Sequence, residues 1–530
     1  MKAVLFVAEN LYGPRFWVPF FTQLKAETGA KVYCLAPSFA HVNDYRKHDV
    51  VDDIFAIDDV LASYGNFAPE FDDEAERLAR DFEDRYAAHL IDVIQGDRHL
   101  GRGSYYLGHH HPKSRNSKLA TLGRSIRYIH HLSERLDKFC VEHDIGTFVT
   151  SGVGADFTKV MCMIARKRGI DIRILFSSRS GQFFTWYEDE YFGHSKLLER
   201  FAKLRKTGAK ERLPEMQTPS VNQGDLDVWN RSLRHTRYSH ALKRTIGLII
   251  NEVRFFLARQ IKYRGKHKFN RYLLTDNIRH LFRIPKQWRS LDRRVDPDET
   301  FLDRRYVFYA LQVEPETSTT VLAPEFNNQI AIIDLIAKSL PADVLFVIKE
   351  HMPAVGRRPD DFYEWLSEIP NVRLAHPKSD APMLARNALV VATLTGTIGI
   401  EAATAGVPVL TFGRHNLYNA ISHVHLVDDL FSVRHMLRTL LDRSAEDTES
   451  ARADRQREGQ LFLRALQDVS CDVGEDIMFH GDPNTPPSPK TIGGLCSLLI
   501  AADSNTSAGA VTGRSAPEKI DGGGLMDRRS

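Results

Sequence analysis

The amino-acid sequence predicts an α/β protein with two domains, each built on a parallel β-sheet. Two observations support this prediction: apolar, strand-like runs alternate with amphipathic stretches in two separate parts of the chain, and 530 residues are too many for one hydrophobic core. We expect an N-terminal domain over 1–225, a basic helical linker over 226–300, a C-terminal domain over 301–470, and a low-complexity, disordered tail over 471–530.

The N-terminal domain shows strand and helix patterns in alternation. Residues 2–8 and 31–37 read as strands that flank an amphipathic stretch. Strand, helix and strand patterns recur over 146–178, which is typical of a doubly wound parallel sheet. The segments 71–95 and 117–143 carry apolar residues at three- and four-residue spacing and predict long helices.

The C-terminal domain has a clearer pattern of five strands joined by four crossovers. The strand-like runs are "RYVFYALQ", "DVLFVIKE", "NVRLAHP", "ALVVATLTG" and "VPVLTFG", all within residues 305–413. Two Rossmann-like domains joined by a linker form the arrangement called GT-B, in which the ligand binds between the domains. After about residue 470 the sequence is rich in Pro, Gly, Ser and Thr, apart from the apolar patch "LCSLLIAA", and predicts disorder.

Composition indicates a protein of the cytoplasm. The five cysteines, Cys34, Cys140, Cys162, Cys471 and Cys496, form no C-x-x-C pair, which favours a reducing compartment. The first ten residues contain too short an apolar run for a signal peptide, and no run approaches the roughly 18 apolar residues of a membrane span.

The linker carries a strong local excess of positive charge. Residues 231–294 contain 18 Lys or Arg and three acidic residues. One interpretation is a solvated interdomain helix whose apolar side is packed. The other is peripheral contact with anionic lipid headgroups at the inner membrane leaflet. Nucleic acid is not expected as a partner, because no recognition motif accompanies the charge.

Polar residues follow three strands of the C-terminal domain, where parallel strands place their ligands. A turn of small residues at the end of the strand "ALVVATLTG" leads into a helix. Backbone N–H groups and the helix dipole would favour binding of a phosphate at this turn. A tight βα connection, a surface histidine and a helix-capping glutamate are the plainer interpretations of the same residues. The polar residues are Gln312, Glu314 and Glu316 at the end of the first of the five strands, Lys349 and His351 at the end of the second, and Thr395, Gly396, Thr397 and Glu401 at the end of the fourth.

These segments resemble the capsule polysaccharide biosynthesis family, which includes bacterial Kdo transferases with GT-B folds. The resemblance runs from Tyr309 to Gly413, and this chain has Met352 where the family has proline after its histidine. The matching residues are Lys349, His351, Gly356, Arg358, Pro359, Pro370, Asn371, Val372, Thr395, Gly396, Thr397, Glu401, Ala402, Gly406 and Pro408.

The resemblance implies transfer of a sugar from a nucleotide sugar, with CMP-Kdo as the type donor, to a glycan or lipid-linked acceptor. The family's phosphate-binding histidine corresponds to His351. No metal and no cofactor besides the donor substrate is implied. The donor-binding residues expected on this basis are Gln312, Lys349, His351, Arg358, Thr395, Gly396, Thr397 and Glu401.

The catalytic carboxylate is harder to find from sequence. Glycosyl transfer needs a general base or a carboxylate nucleophile. Asp97, beside Arg98 in a loop with glycines and aromatics, is the first candidate, and Glu188 beside aromatic residues is the second. His351 is the third candidate catalytic residue. The run His109–Pro112 favours a polar loop over a metal site, since no acidic or Cys ligand is nearby.

Two alternative functions share these features. A UDP-sugar epimerase uses the same two-domain frame and needs no acceptor. A non-catalytic member of the family would bind a nucleotide sugar or glycan as an assembly partner, and Met352 is the residue that keeps this alternative open.

Overall fold

The computed structural model describes most of the chain. The described residues are 2–8, 12–100, 110–208, 213–214, 233–261, 272–326, 328–445, 448–474, 476 and 486–509. Every structural statement below concerns these residues.

The N-terminal domain is built on a sheet of mainly parallel strands. Five parallel strands lie in the order β5-β4-β1-β2-β3, and β6 continues the sheet antiparallel to β5. The strands are β1 (Ala3–Val7), β2 (Lys31–Ala36), β3 (Asp53–Ala56), β4 (Thr147–Thr150), β5 (Asp171–Ser177) and β6 (Phe183–Tyr187). All residues of β1 and β4 are buried, as expected for central strands covered on both faces.

Nine α-helices and one 3₁₀ helix (Tyr64–Asn66) belong to the described part of this domain up to residue 208. The α-helices are α1 (Gly13–Thr28), α2 (Phe39–Tyr45), α3 (Ile57–Leu61), α4 (Asp73–Tyr86), α5 (Leu90–Gly96), α6 (Arg115–Leu119), α7 (Leu122–Glu142), α8 (Asp156–Arg168) and α9 (Ser195–Thr207). The single long helix expected over 71–95 is in fact two, because Ala87 adopts a left-handed conformation with φ of 48° and ends α4.

Two helices form the described part of the linker: α10 (Tyr238–Ile261) and α11 (Leu274–Asp292), which pack against each other. No helix in the described residues is long and apolar enough to cross a membrane.

The C-terminal domain is built on a fully parallel sheet in the order β12-β11-β10-β7-β8-β9. All five expected strands are present, and β12 is an addition. The strands are β7 (Tyr306–Ala310), β8 (Leu345–Lys349), β9 (Val372–Ala375), β10 (Val390–Thr393), β11 (Val409–Thr411) and β12 (Val424–Leu426). The α-helices are α12 (Thr317–Thr320), α13 (Gln329–Ser339), α14 (Phe362–Glu368), α15 (Ala381–Asn387), α16 (Thr397–Thr404), α17 (Val433–Ala445) and α18 (Glu449–Asp468). Two separate doubly wound sheets confirm the prediction of two Rossmann-like domains in the GT-B arrangement.

The prediction that the chain is disordered from residue 471 is wrong, because a strand and a helix lie within 471–509. β13 (Cys471–Asp472) pairs antiparallel with β6, and α19 (Pro489–Gly509) packs on α1. The patch "LCSLLIAA" lies within α19, with Leu495 and Leu499 fully buried in the N-terminal core. Composition missed this helix because its apolar partners are hundreds of residues away in sequence. Residues 510–530 lie outside the described residues.

Candidate functional site

Three strand ends of the C-terminal sheet lie at one edge, as the sequence predicts. β10, β7 and β8 are neighbours and run parallel. After β7 the chain adds β8 and β9 on one side of it, and it then crosses over to add β10, β11 and β12 on the other side. The topological switch point therefore lies between β7 and β10. Open α/β sheets bind ligands outside the carboxyl ends of the strands at this point. The residues that follow these strands therefore define the candidate site.

Arg358 lies beneath this edge and is completely buried. Its guanidinium donates to both carboxylate oxygens of Glu350, at 2.8 and 2.9 Å, and to Glu314 at 2.6 Å. A further hydrogen bond of 2.7 Å reaches the carbonyl oxygen of Gln312. All of its contacts are internal, so the prediction that Arg358 binds the donor is wrong: it connects the β7 and β8 loops.

One guanidinium serves two buried carboxylates in this cluster, which leaves an excess of negative charge. The pKa of Glu314 is raised to about 7, chiefly by burial and to a smaller extent by nearby Glu350, while Arg358 acts in the opposite direction. Tyr363 donates its hydroxyl to Glu350 at 2.9 Å and helps to stabilise that carboxylate. The hydrogen bonds from Arg358 and Tyr363 therefore fix the position of the Glu350 carboxylate.

The Thr395–Gly396 turn is also satisfied internally. With its side-chain amide oriented to satisfy every partner, Gln312 accepts the N–H groups of Thr395 and Gly396 at 2.8 and 2.7 Å. The buried hydroxyl of Thr395 donates to the carbonyl of Ser318 at 3.0 Å. Gln312, Thr395 and Gly396 were expected to bind the donor phosphate directly. The structure instead gives their polar groups a scaffolding role, because Gln312 occupies the amides that a phosphate would need.

Four of the predicted residues remain accessible at this edge: Lys349, His351, Thr397 and Glu401. Thr397 is exposed and is the first residue of α16, where an N–H has no acceptor within the helix. Within the described residues, the side chains of Lys349, His351 and Glu401 make no hydrogen bond or ion pair. The sheet edge thus offers two basic groups, a helix N-terminus and one carboxylate to a ligand.

Partial loss of solvation shifts the pKa of three of these groups. It lowers the pKa of Lys349 and His351, and it raises the pKa of Glu401, whose neighbour Asp380 adds to the effect. His351 itself is exposed to solvent. Each shift disfavours the charged form, and a bound phosphate would reverse the effect for Lys349 and His351.

Met352 does not leave His351 loosely held. The His351 N–H donates to the fixed carboxylate of Glu350 at 2.7 Å, and its carbonyl accepts from Ala354 at 2.8 Å. Residues Met352–Ala354 form one turn of 3₁₀ helix with the Met352 side chain buried. In this chain the Glu350 carboxylate therefore constrains the backbone at His351, which a proline at position 352 would constrain in the family.

Neither expected catalytic carboxylate in the N-terminal domain is available for chemistry. Asp97 is buried and accepts the N–H groups of His99, Leu100 and Asp156, at 2.5, 2.9 and 3.0 Å. Glu188 accepts the N–H and the hydroxyl of Ser195 at the start of α9, at 3.1 and 2.7 Å. Both residues stabilise helix termini, so the structure corrects both assignments.

The described part of the His109–Pro112 run agrees with a loop. The His110 N–H donates to the carbonyl of Arg357 at 2.6 Å, and His109 lies outside the described residues. Nowhere in the described ranges do three or more His, Cys, Asp or Glu side chains cluster as metal ligands would.

Glu316, which the sequence placed at this edge without a catalytic role, is the carboxylate that faces the other domain. It is half-buried, precedes α12, and has a pKa raised by burial and lowered by Arg357 and by Arg98 of the N-terminal domain. Its neighbour Thr317 touches the N-terminal domain so closely that a Cβ on Gly154 would lie 2.7 Å from the Thr317 hydroxyl. The signal was present in the sequence, since Glu316 follows β7 two residues after Glu314.

A second interdomain contact reaches the turn itself. Arg179 of the N-terminal domain donates to the carbonyl of Thr395 at 2.5 Å. Gln312 and Arg179 thus hold Thr395 from within the C-terminal domain and from across the interface.

Comparison with known proteins supports the resemblance seen in the sequence. Residues 229–421 match the family described as "Capsule polysaccharide biosynthesis protein", which confirms that resemblance over this segment. No curated protein matches the chain.

Among solved structures, similarity is distant. UDP-GlcNAc 2-epimerase from Neisseria meningitidis is 12% identical over 95% of this chain and 100% of its own, with a TM-score of 0.27. KpsC of Thermosulfurimonas dismutans, a beta Kdo 2,7 transferase, is 14% identical over 56% of this chain and 74% of its own, with a TM-score of 0.28. ADP-heptose LPS heptosyltransferase II of E. coli is 9% identical over 84% of this chain and 100% of its own, with a TM-score of 0.25. At these values the similarity says nothing about substrate.

The buried Asp97–Asp156 pair predicts that stability depends on pH. Burial, with the charge of Asp97 second, raises the pKa of Asp156 from 3.8 to about 7. The folded state therefore binds a proton that the unfolded state has released, and stability falls as pH rises from about 4 to about 7. In Asp156→Asn we expect a smaller fall, measured by urea unfolding at both ends of this range. Exposed Asp84→Asn is the control, and an Asp156→Asn profile that parallels wild type would contradict the assignment.

Proposed function

From the match of residues 229–421 to the capsule polysaccharide biosynthesis family, we propose that the chain is a glycosyltransferase of capsular or surface polysaccharide synthesis. It would transfer a Kdo-like sugar from a nucleotide-activated donor to a glycan or lipid-linked acceptor. The observation that carries this proposal is the accessible set Lys349, His351, Thr397 and Glu401 at the switch point of a rigid parallel sheet. The second domain provides the opposite wall for an acceptor.

The donor's phosphate would be held at the end of β8 and the start of α16. Lys349 and His351 would supply positive charge, and the Thr397 hydroxyl and N–H would donate hydrogen bonds at the helix N-terminus. Glu401, one helical turn further on, would accept hydrogen bonds from the ribose diol. These groups would neutralise the charge of the phosphate, so the proposed reaction needs no metal ion.

Glu316 replaces Asp97 and Glu188 as our candidate general base. It lies where the two domains meet, and partial burial raises the pKa of its carboxyl group, which makes it a stronger base. Arg98 and Arg357 oppose that shift and favour the carboxylate form, which is the form that accepts the proton of an acceptor hydroxyl.

A lipid-linked acceptor would place the enzyme at the membrane surface. A cytoplasmic protein acting on a lipid-linked glycan needs contact with the inner membrane leaflet, and the basic segment 231–294 would provide attraction to anionic lipids.

His351→Ala should lower kcat/KM for sugar transfer by about 100-fold or more, because a preorganised donor group to the departing phosphate is lost. The assay follows nucleotide release and glycan product from CMP-Kdo, with UDP-GlcNAc tested in parallel. His89→Ala, at an exposed histidine of the N-terminal domain, is the matched control. Unchanged turnover in a folded His351→Ala protein would remove His351 from the mechanism. Conversion of UDP-GlcNAc without an acceptor would show an epimerase instead, and nucleotide binding without any product would show a non-catalytic protein.

Glu316→Gln should reduce kcat about 100-fold or more while the KM for the donor changes little, since the acid–base group is lost but donor contacts remain. In the wild type, activity should rise with pH as Glu316 ionises, and this limb of the profile should be absent in Glu316→Gln. Glu325→Gln, at an exposed glutamate nearby, should leave both parameters unchanged. A kcat within a few-fold of wild type would exclude Glu316 as the base.

A further inference from the structure

Helix α10 exposes an unusual number of large apolar side chains. Eight of them are between 45% and 78% exposed, although side chains of this type are normally buried. They recur at three- and four-residue spacing over five turns and therefore lie along one side of the helix. We call this side the α10 stripe: Leu242, Ile246, Ile249, Ile250, Val253, Phe256, Leu257 and Ile261.

The opposite side of α10 is the one that packs against the protein. Ala241 is buried, and α10 contacts α11. The linker interpretation in which the apolar side of this helix is packed is therefore wrong for α10. A continuous apolar surface of this length marks an interaction site in a folded protein.

Charge around the stripe indicates what covers it. From Leu233 to Ile261 the chain has six Lys or Arg and one acidic residue, Glu252. At 3.6 residues per turn, Lys243 and Arg254 project along one edge of the stripe, and both are exposed. An apolar face bordered by basic side chains is the pattern of a helix that lies in the plane of an anionic bilayer.

We propose that α10 docks on an anionic lipid surface, with the stripe in contact with acyl chains and Lys243 and Arg254 at the headgroups. A second copy of this chain fits less well, because a two-fold symmetric pairing would bring two equally basic helices together.

Helix α10, which carries the stripe, is linked to the candidate donor site by contacts through α11. α11, which packs on α10, holds the loop that carries Arg358: Gln287 accepts the Gly356 N–H at 2.8 Å, and Arg283 donates to the Arg358 carbonyl at 3.0 Å. If the proposed function is correct, docking through α10 would bring the catalytic cleft to a lipid-linked acceptor. The docking itself does not depend on that function.

The test is flotation of the full-length protein with phosphatidylcholine vesicles, with and without phosphatidylglycerol, and with no nucleotide sugar present. Wild type should float with the anionic vesicles only, and less at high salt. Ile246→Ser/Val253→Ser/Phe256→Ser and, separately, Lys243→Glu/Arg254→Glu should each reduce the apparent affinity about tenfold or more. Val141→Ser/Phe431→Ser, which removes two exposed apolar side chains outside the α10 stripe, is the control and should bind as wild type.

Equal flotation of wild type and the triple serine variant would overturn the proposal. It would also be overturned if wild type bound neither vesicle type. A dimer that wild type formed and the triple variant did not would then identify the stripe as a self-association surface. Equal thermal unfolding of all variants establishes that they are folded. Sugar transfer to a soluble acceptor should be unaffected in the triple variant, so failure of docking and failure of the proposed function give different results.

Discussion

The structure depends on one buried guanidinium. Arg358 connects Glu350, at the end of β8, to Glu314 and to the Gln312 carbonyl, which follow β7. Removing one partner of a buried ion pair leaves an uncompensated charge at a cost of about 3–5 kcal/mol, so this cluster can exist only when all its members are in place. Through Glu350 it fixes the backbone of His351, and through its own carbonyl it is joined to α11.

This constraint divides the residues that were expected to bind the donor into two groups. Gln312, Arg358 and Thr395 are buried and bonded to the protein, whereas Lys349, His351, Thr397 and Glu401 remain accessible at the sheet edge. The first group sets the geometry of the second. A site whose polar groups are held before the ligand arrives loses little free energy in ordering them, which favours both affinity and catalysis.

The sequence predicted the strands of the C-terminal sheet well, because buried parallel strands are short apolar runs followed by turn residues. It also predicted that the residues following β7, β8 and β10 lie at one edge of the sheet, since neighbouring parallel strands end on the same side. It could not show that Arg358 points inward, because its partner Glu314 lies 44 positions away. Asp97 was misassigned for the same reason: the amide of Asp156 that it accepts belongs to another element. Local patterns identify elements, whereas the role of a polar side chain depends on contacts between distant segments.

The central claim is that a nucleotide phosphate binds at the ends of β8 and β10, and thermal unfolding with CMP, CDP, UMP, UDP and GDP tests it most directly. Ligand at a hundred times its dissociation constant adds about 2.7 kcal/mol of stability, which raises Tm by several degrees. We expect one cytidine nucleotide to raise the Tm of wild type and of Lys378→Met, at an exposed lysine, but not that of Lys349→Met. If no nucleotide changes the Tm of a cooperatively unfolding wild type, the site does not bind nucleotides and the account is wrong.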